Sequence, residues 1–412
     1  MSKRPIAVDL FCGAGGMSLG FEQAGFDVRV ALDIDPIHCS VHAYNFPHSK
    51  TMCGDISALT GDDIRKCGRI KSDIDVVFGG PPCQGFSFMG RRDAADPRNG
   101  LAFHFVRLVE ELSPKYFVLE NVPGLMAQHQ LFERILRSFG RIGYTVLKPV
   151  QVLNAASFGV PQDRNRVFIM GCRRGLQLPD YPQARYLARP THGELSLPEK
   201  DYCPSVWQAI GDLPEVENFD ELLKADSLRI RKVRNNLYVR VLNSFDHDGY
   251  LRVFDKQLLS GCTRTIHNRE VQRRFEKTNH GTEEPVSRLF KLHPDGISRT
   301  LRAGTGSDRG SYTSPRPIHP FTARCITVRE AARLHSFPDW FRVHVTRWHG
   351  LRQIGNSVPP LLARAVAAEV IKALGANAAK PELVLTLGRE ELLHFNAVQA
   401  AAYFAQVSTL TK

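Results

Sequence analysis

The sequence predicts an α/β fold: a Rossmann-like, mostly parallel sheet flanked by helices, with a second, smaller domain. Three observations favour it. Short apolar runs rich in β-branched residues alternate with segments of helical periodicity. The first run, residues 6–11, passes directly into a glycine-rich turn, residues 12–20, that begins a helix. Six prolines between residues 179 and 214 interrupt a stretch with little periodicity, which indicates a domain boundary.

Composition and charge limit the function classes. With 412 residues the chain is long enough for two domains, or for one domain with a large insertion, and its 43% hydrophobic content is enough to build hydrophobic cores. A net charge of +12 and a pI of about 9.4 favour a polyanionic partner, because basic faces attract phosphates. No apolar run is long enough to span a bilayer and no secretory signal is recognisable, so we expect a cytoplasmic protein. Nine cysteines without Cys-x-x-Cys spacing argue against disulfides and against a metal site.

The glycine-rich turn at residues 12–20 is typical of a cradle for a nucleotide-type cofactor. A dinucleotide fingerprint would require glycine where Ser18 stands, which weakens a nicotinamide assignment and leaves another adenosine-bearing cofactor open. The second predicted strand, residues 27–32, ends at Asp33, where a carboxylate can accept both ribose hydroxyls. The alternative for such an acid, a helix N-cap before proline, suits Asp35 better.

A double proline fixes a cysteine at the end of another predicted strand. The β-branched run at residues 74–78 is stopped by Gly-Gly-Pro-Pro, and Cys83 follows at the sheet edge where chemistry collects in open α/β folds. The alternative, a cysteine packed in the core, needs no such brace. The next buried strand, residues 116–119, ends in Glu120, whose position beside this loop favours a catalytic role over a turn cap.

Positive charge recurs in two settings. Arg164 and Arg166 alternate into the strand at residues 167–170 and so share one face, which suits phosphate or carbonyl oxygens; a solvated strand face is the alternative. Residues 229–234 and 269–277 concentrate basic side chains, with aromatic residues in the same region. Charge runs are usually solvated surfaces, but their recurrence in one region of a basic protein favours a nucleic-acid surface.

Further elements follow from periodicity and capping signals. A short third strand ends near Asp55 and Ile56, an acid and an apolar side chain that could hold the edge and face of an adenine ring. Thr327 and Glu330 predict a capping box at the start of an amphipathic helix. The other predicted elements are helices at residues 103–112, 131–139 and 361–374, a strand at 144–146, and a helix in the tail through residue 404.

Six motifs, in the same order along the chain, resemble those of bacterial DNA (cytosine-5)-methyltransferases of the type II restriction-modification kind. Together they cover nearly everything except the middle region and the tail. They are the cofactor motif at residues 9–16, the nucleophile motif at 81–84, the acid motif at 120–122, the base-holding motif at 162–166, the ninth motif at 324–334 and the last motif at 355–360.

The resemblance implies a mechanism on an S-adenosylmethionine-dependent methyltransferase sheet. The Cys83 thiolate adds to carbon 6 of cytosine, Glu120 donates a proton to ring nitrogen 3, and carbon 5 takes a methyl group from S-adenosylmethionine. A base that the sequence does not identify then removes the carbon-5 proton. Arg164 and Arg166 are implied to hold the carbonyl oxygen and the catalytic neighbourhood. Because carbon 6 is covered in a duplex, the nucleotide must swing out, and residues 88–100 are implied as its lid.

The resemblance also implies the remaining site residues and the domain plan. We expect a catalytic domain of residues 1–195 plus 354–376, a target-recognition domain of residues 196–353 across duplex DNA, and an extension, residues 377–412, of unassigned role. We expect a monomer, with no direct complex with any restriction endonuclease that acts on the same site. The S-adenosylmethionine pocket is implied to comprise Phe11, Gly13, Gly15, Asp33, Ile34, Asp55, Ile56, Leu101, Asn356 and Ser357. The DNA contacts are implied to comprise Gln84, Ser87, Arg91, Arg92, Gln162 and Thr300.

Three alternatives remain open at this level. An RNA substrate, as in the tRNA-modifying branch of the same superfamily, keeps the chemistry, but that branch has a compact recognition region, whereas this chain has a long, basic one. A DNA-binding regulator without turnover would not need Cys83, Glu120 and both arginines. A nicotinamide oxidoreductase is disfavoured by Ser18 and does not explain the nucleophile motif.

Overall fold

The protein is described by a computed structural model over residues 4–82, 100–190, 197–230, 236–245, 247–304, 316–377 and 379–410. Within these ranges no helix is both long enough and apolar enough to cross a membrane. The strands are β1 (Ile6–Leu10), β2 (Asp27–Asp33), β3 (Lys50–Cys53), β4 (Val76–Gly79), β5 (Tyr116–Asn121), β6 (Tyr144–Val146), β7 (Gln151–Asn154), β8 (Gln162–Asp163), β9 (Asn165–Arg173), β10 (Ser227–Arg229), β11 (Leu251–Val253), β12 (Leu258–Ser260), β13 (Ser298–Arg299) and β14 (Val384–Thr386). The α-helices are α1 (Gly16–Gln23), α2 (Pro36–Asn45), α3 (Gly61–Gly68), α4 (Leu101–Leu112), α5 (His129–Arg141), α6 (Val206–Ile210), α7 (Leu237–Asn243), α8 (Arg269–Lys277), α9 (Val328–Leu334), α10 (Arg347–Asn356), α11 (Pro360–Leu374) and α12 (Ala397–Leu410).

The central sheet has eight strands among the described residues, in the order β3-β2-β1-β4-β5-β9-β6, with β7 also paired to β9. The first five in this order run parallel, whereas β9 is antiparallel to β5, and β6 and β7 are antiparallel to β9. The carboxyl ends of β1, β2, β4 and β5 therefore meet at one edge, where ligands bind in open α/β sheets. The predicted Rossmann-like sheet is confirmed.

Both faces of the sheet are covered, which explains its near-continuous apolar strands. On one face α1 and α11 pack around Phe78, and on the other α3, α4 and α5 pack around Phe117. Helices α1 and α11 approach so closely that a Cβ atom at Gly20 would lie 2.4 Å from the Cβ of Ala363. The helix predicted at residues 361–374 thus returns to the first domain's sheet, as expected.

The middle region, residues 196–353, packs directly on the domain that contains the central sheet. One apolar cluster contains Phe46, at the end of α2, together with residues of α6, α9 and α10. Strand β13 pairs in parallel with β8, which immediately precedes the long sheet strand β9. The predicted limit between residues 353 and 354 falls inside α10, so this helix spans the expected domain boundary.

The C-terminal extension packs on the catalytic sheet through α2. Strand β14 pairs in parallel with β11, and the Gly388 N–H donates to the Tyr44 carbonyl at 2.8 Å. Leu392 and Leu393 then join Val41 and Tyr44 in one apolar cluster. The extension, whose role the sequence left unassigned, therefore braces the helix that follows β2.

A buried ion pair joins α1 to β11. Glu22 and Arg252 are both almost fully buried, and the Nη1–Oε1 and Nη2–Oε2 distances are each 2.7 Å. The guanidinium also lies 4.3 Å from the centre of the Trp340 ring. Burial favours the neutral acid, but the Arg252 charge outweighs it and holds the pKa of Glu22 below its ordinary value. The pair therefore fixes the middle region against the first helix.

Replacing Arg252 with alanine should leave the buried Glu22 carboxylate without its hydrogen-bonded guanidinium partner. We expect this variant to lose about 3–5 kcal/mol of unfolding free energy, measured by urea denaturation. Arg229→Ala is the matched control, because its pair with Asp255 is exposed and such pairs contribute about 1 kcal/mol or less. Equal losses in the two variants would contradict a special role for the buried pair.

Candidate active site

Two glycines allow the end of β4 to approach its neighbours. A Cβ atom at Gly79 would lie 2.1 Å from the Leu10 carbonyl oxygen, on β1. A Cβ atom at Gly80 would lie 2.5 Å from Oε2 of Glu120, on β5. Neither position therefore has room for a side chain unless the site opens. The Gly-Gly pair before the double proline brings the acid motif and the nucleophile motif together.

A hydrogen bond anchors the nucleophile motif to the acid motif. The Asn121 side-chain amide donates to the Pro81 carbonyl at 3.1 Å, so the end of β5 holds the segment that leads to Cys83. Positions 83–99 are outside the described residues. They include the predicted residues Cys83, Gln84, Ser87, Arg91 and Arg92 and nearly all of the predicted lid.

Glu120 is buried at the end of β5 and faces an arginine on the neighbouring strand β9. Arg166 Nε lies 2.9 Å from Glu120 Oε1. Burial raises the pKa of Glu120 above its ordinary value, although the charges of Arg166 and Arg164 act in the opposite direction. A carboxyl group with a raised pKa, oriented by one guanidinium, is suited to donate a proton to a substrate.

Arg164 is fully buried, and its guanidinium binds the protein's own backbone. Nη1 donates to the Leu301 carbonyl at 2.9 Å, and Nη2 donates to the carbonyls of Gly355 at 2.7 Å and Ser357 at 2.8 Å. The sequence predicted that Arg164 would act beside Arg166 on the substrate or its surroundings. The geometry gives Arg164 a positioning role and not a direct contact with substrate, because it is fully buried and both of its Nη groups bind these three carbonyls; its buried Nε has no hydrogen-bond partner among the described residues.

Gln162 is buried at the base of the middle region. Its Oε1 accepts from the Leu301 N–H at 3.0 Å, and its Nε2 lies 3.0 Å from Nδ1 of His335. The predicted DNA contact by Gln162 is therefore wrong in this structure, because the side chain has no exposed surface and both ends of its amide bind the protein. Thr300 is partly exposed, and its hydroxyl donates to the Asp163 carbonyl at 2.7 Å; its DNA contact stays a prediction.

The glycine-rich turn and the end of β2 form one unit. Phe11 has a φ of 101°, and its N–H donates to a carbonyl at the end of β2 at 2.9 Å. The Gly13 N–H donates to Asp33 Oδ2 at 2.9 Å. Gly15 has a φ of 105°, and a Cβ atom there would lie 2.3 Å from the Phe46 ring. The turn therefore requires glycine at Gly15 on both conformational and steric grounds.

Asp33 is held ionised at the end of β2. Its Oδ1 accepts from the Asp35 N–H at 2.9 Å and lies 3.6 Å from Nδ1 of His38. Burial opposes ionisation, but His38 and the N–H groups of Asp35 and Gly13 bring the pKa of Asp33 below its ordinary value. Asp35 itself caps α2 through the Ile37 N–H at 2.9 Å, as predicted. An ionised Asp33 can accept hydrogen bonds from ribose hydroxyls.

The residues predicted to contact adenine lie around the same strand ends. Ile34 is 67% exposed and offers an apolar surface to a ligand. Asp55 is exposed and accepts from the Ser57 N–H at 2.9 Å, which lowers the pKa of Asp55. Ile56 is buried, and Leu101 is partly buried at the start of α4. Among the described residues, no group of three or more His, Cys, Asp and Glu side chains is arranged to hold a metal ion.

The last motif reaches this site from the far end of the chain. Asn356 is exposed at the end of α10, and Ser357 is buried with its hydroxyl donating to the Gln353 carbonyl at 2.7 Å. A Cβ atom at Gly16, the first residue of α1, would lie 2.4 Å from the Val358 carbonyl oxygen. The same Cβ atom would lie 2.9 Å from the Cβ of Ser357, so the structure brings Ser357 against the glycine-rich turn.

A buried polar network beneath the turn was not predicted. Ser18 donates to Asp9 Oδ2 at 2.6 Å and lies 3.1 Å from His42 Nε2. Burial raises the pKa of Asp9 to about 8 and lowers that of His42 to about 3. Ser18, which departs from the dinucleotide fingerprint, therefore supplies a hydroxyl to a buried acid. The sequence signal that could have predicted this network is Asp9, a carboxylate inside an apolar strand.

Comparison with known proteins identifies the family. The sequence profile described as C-5 cytosine-specific DNA methylase matches residues 6–372. The chain belongs to this family. It is a DNA methyltransferase specific for carbon 5 of cytosine, so the predicted family and activity are confirmed.

Curated relatives and a solved structure agree with this assignment. The chain is 50% identical to the type II methyltransferase M.XorII of Xanthomonas oryzae pv. oryzae, over 99% of this chain and 94% of that protein. It is 33% identical to the type II methyltransferase M1.HphI of Haemophilus parahaemolyticus, over 89% of this chain and 86% of that protein. An E. coli prophage protein assigned as a DNA modification methyltransferase has a TM-score of 0.72 at 34% identity, covering 90% of this chain and 100% of that one.

Replacing Gly80 with alanine should displace the Glu120 carboxylate, because the added methyl group would overlap Oε2. We expect the rate of methyl transfer to unmodified genomic DNA to fall at least about tenfold, since small misplacements of catalytic groups are costly. Gly140→Ala is the control: nothing lies within 4 Å of its added Cβ atom, and alanine favours the helix α5 in which Gly140 lies. Full activity in Gly80→Ala would contradict the steric argument.

Proposed function

We propose that the protein methylates a cytosine within a defined duplex DNA sequence, with S-adenosylmethionine as methyl donor and Cys83 as nucleophile. The observation that carries this proposal is the Glu120 carboxyl group. It is buried, paired with Arg166 at 2.9 Å and raised in pKa. It also lies against Gly80, three residues before Cys83. An acid that can hold a proton is thereby placed next to the nucleophile motif.

The edge of the sheet fits S-adenosylmethionine. Ionised Asp33 can accept from the ribose hydroxyls, and the exposed Ile34 side chain can cover one face of the adenine ring. The glycine-rich turn leaves space beside Gly13, where nothing lies within 4 Å of an added Cβ atom. Asn356 is exposed at the end of α10, next to Ser357, which packs against this turn. The bound cofactor would supply the methyl group for carbon 5.

Cytosine must be activated before it can accept a methyl group. We assign the addition at carbon 6 to the Cys83 thiolate, which makes carbon 5 nucleophilic. Glu120 donates its proton to ring nitrogen 3 as negative charge develops there. Arg166 keeps the Glu120 carboxyl oriented during this transfer. Once carbon 5 carries the methyl group, a general base removes the carbon-5 proton, the thiolate leaves carbon 6, and the proton on nitrogen 3 returns to Glu120, which releases 5-methylcytosine and restores the enzyme.

The basic middle region is proposed to bind the DNA duplex. Helix α8 exposes Arg269, Arg273 and Lys277 at i, i+4 and i+8, a row that suits the phosphate backbone. Because carbon 6 is covered by stacking in a duplex, the target nucleotide must leave the helix before Cys83 can reach it. We place the sequence-specific contacts in residues 196–353, where the loop at Thr300 adjoins the base-holding motif.

The biological setting follows from the relatives. The names of the curated relatives describe type II methyltransferases. We therefore propose that this protein marks DNA in a restriction-modification system and so protects it from an endonuclease that acts on the same site. We expect it to act as a monomer on DNA in the bacterial cytoplasm, without a stable complex with that endonuclease.

Transfer of tritium from labelled S-adenosylmethionine tests the proposal directly. We expect label in duplex DNA and none in duplex RNA or transfer RNA. Cys83→Ser should abolish transfer while cofactor and DNA binding remain. Asp33→Ala should weaken cofactor binding by about tenfold or more, the size expected when a charged hydrogen bond is lost.

Each variant has an outcome that would remove its assignment. Substantial turnover by Cys83→Ser would exclude that thiol as the nucleophile. An unchanged cofactor dissociation constant in Asp33→Ala would take Asp33 out of the pocket. Label transferred to RNA in preference to DNA would overturn the proposed substrate.

A further inference from the structure

His335 lies buried between the base-holding motif and the last motif. It follows the final residue of α9. Its Nδ1 lies 3.0 Å from Nε2 of Gln162, and its Nε2 lies 2.9 Å from the Ser357 carbonyl oxygen. His335 lies just outside the ninth motif, which ends at residue 334, and the reaction described above does not use it. Its two ring nitrogens nevertheless join two segments that border the proposed active site.

The hydrogen-bond pattern determines which nitrogen carries the proton. Gln162 Oε1 accepts from the Leu301 N–H at 3.0 Å, so the other end of the amide is its NH₂ donor. That donor faces His335 Nδ1, which must therefore accept. His335 Nε2 must then carry the proton and donate it to the Ser357 carbonyl. Burial, together with the charge of Arg164, lowers the pKa of His335 well below its ordinary value, which keeps this tautomer neutral.

The Ser357 carbonyl is held by two donors from different parts of the chain. His335 Nε2 is one, and Arg164 Nη2, at 2.8 Å, is the other. The next carbonyl, that of Val358, lies against the first residue of α1, where a Cβ atom on Gly16 would be 2.4 Å from it. A rotation of the peptide after Ser357 would therefore change the contact between this segment and the glycine-rich turn.

We propose that His335 is a positioning residue whose Nε2–H holds the Ser357 carbonyl and so fixes the Asn356–Ser357 end of the cofactor pocket. The inference rests on the proposed function, because it takes S-adenosylmethionine to be the ligand of that pocket. His335 touches no reacting atom; it acts through Ser357. Through Gln162 and Leu301, it also links this pocket to the loop at Thr300.

Two conservative variants separate the two nitrogens. In His335→Gln the amide can reach the position of Nε2 and retain a donor to Ser357. In His335→Asn the shorter amide reaches the position of Nδ1 and loses that donor. We expect the S-adenosylmethionine dissociation constant, measured by calorimetry, to stay within about threefold of wild type in His335→Gln and to rise about tenfold in His335→Asn, the size expected for a lost bond to a buried carbonyl.

The duplex DNA dissociation constant and the thermal midpoint distinguish a positioning role from a purely structural one. If His335 only stabilised the fold, the loss of cofactor affinity would follow the loss of thermal stability. We expect equal DNA affinity in both variants and similar thermal midpoints. Equal cofactor affinity in the two variants, or losses that follow the thermal midpoint, would overturn the inference. If wild type fails to bind S-adenosylmethionine at all, the proposed function fails instead, and this result is distinguishable because it needs no variant.

Nitrogen NMR of the wild-type protein with labelled histidine supplies a second test that does not depend on the cofactor affinity of either variant. The resonance absent in His335→Gln identifies His335. We expect an unprotonated Nδ1 and a protonated Nε2 that persist from pH 8 to pH 5. A protonated Nδ1 would overturn the inference.

Discussion

Arg164 places a buried guanidinium among backbone carbonyl groups from separate parts of the chain. Its donors bind the Leu301, Gly355 and Ser357 carbonyls. Leaving such a cation unpaired inside the protein would cost several kcal/mol. The start of β9, the loop at Thr300 and the last motif therefore stabilise one another through this guanidinium. One side chain makes the edge of the central sheet and two segments distant from it in sequence mutually dependent.

The second arginine of the base-holding motif, Arg166, has a different role from Arg164 although the two are only two residues apart. Arg164 and Arg166 are two residues apart, and both influence Glu120, yet only Arg166 is paired with it. Burial alone would favour a neutral Glu120, and the two cations oppose that tendency without overcoming it. The carboxyl group can thus hold a proton while one guanidinium orients it. Arg164 holds distant backbone segments together, and Arg166 orients the Glu120 carboxyl group.

Features set by neighbouring residues could be predicted from the sequence, whereas contacts between distant segments could not. The Thr327 and Glu330 capping box forms as predicted, because both partners lie in one helical turn. The strand ends at Asp33 and Glu120 also stand where predicted, since apolar runs and glycines define them. Gln162 looked like a DNA contact because nothing local shows that Leu301 and His335 satisfy its amide. The predicted limit between residues 353 and 354 falls inside α10, because nothing local shows that Leu351 and Ile354 of this helix pack with residues far away in sequence.

Hydrogen–deuterium exchange in Arg164→Lys tests the central claim most directly, because lysine keeps the charge but cannot bind three carbonyls in the same fork geometry. Arg174→Lys, which alters an exposed arginine bound to the Gly140 carbonyl, is the control. The account predicts faster exchange in Arg164→Lys at residues 298–304 and 351–358 together, with the tail at 384–393 unchanged. Unchanged exchange at both segments, or a change confined to one of them, would contradict the claim that Arg164 holds the site together.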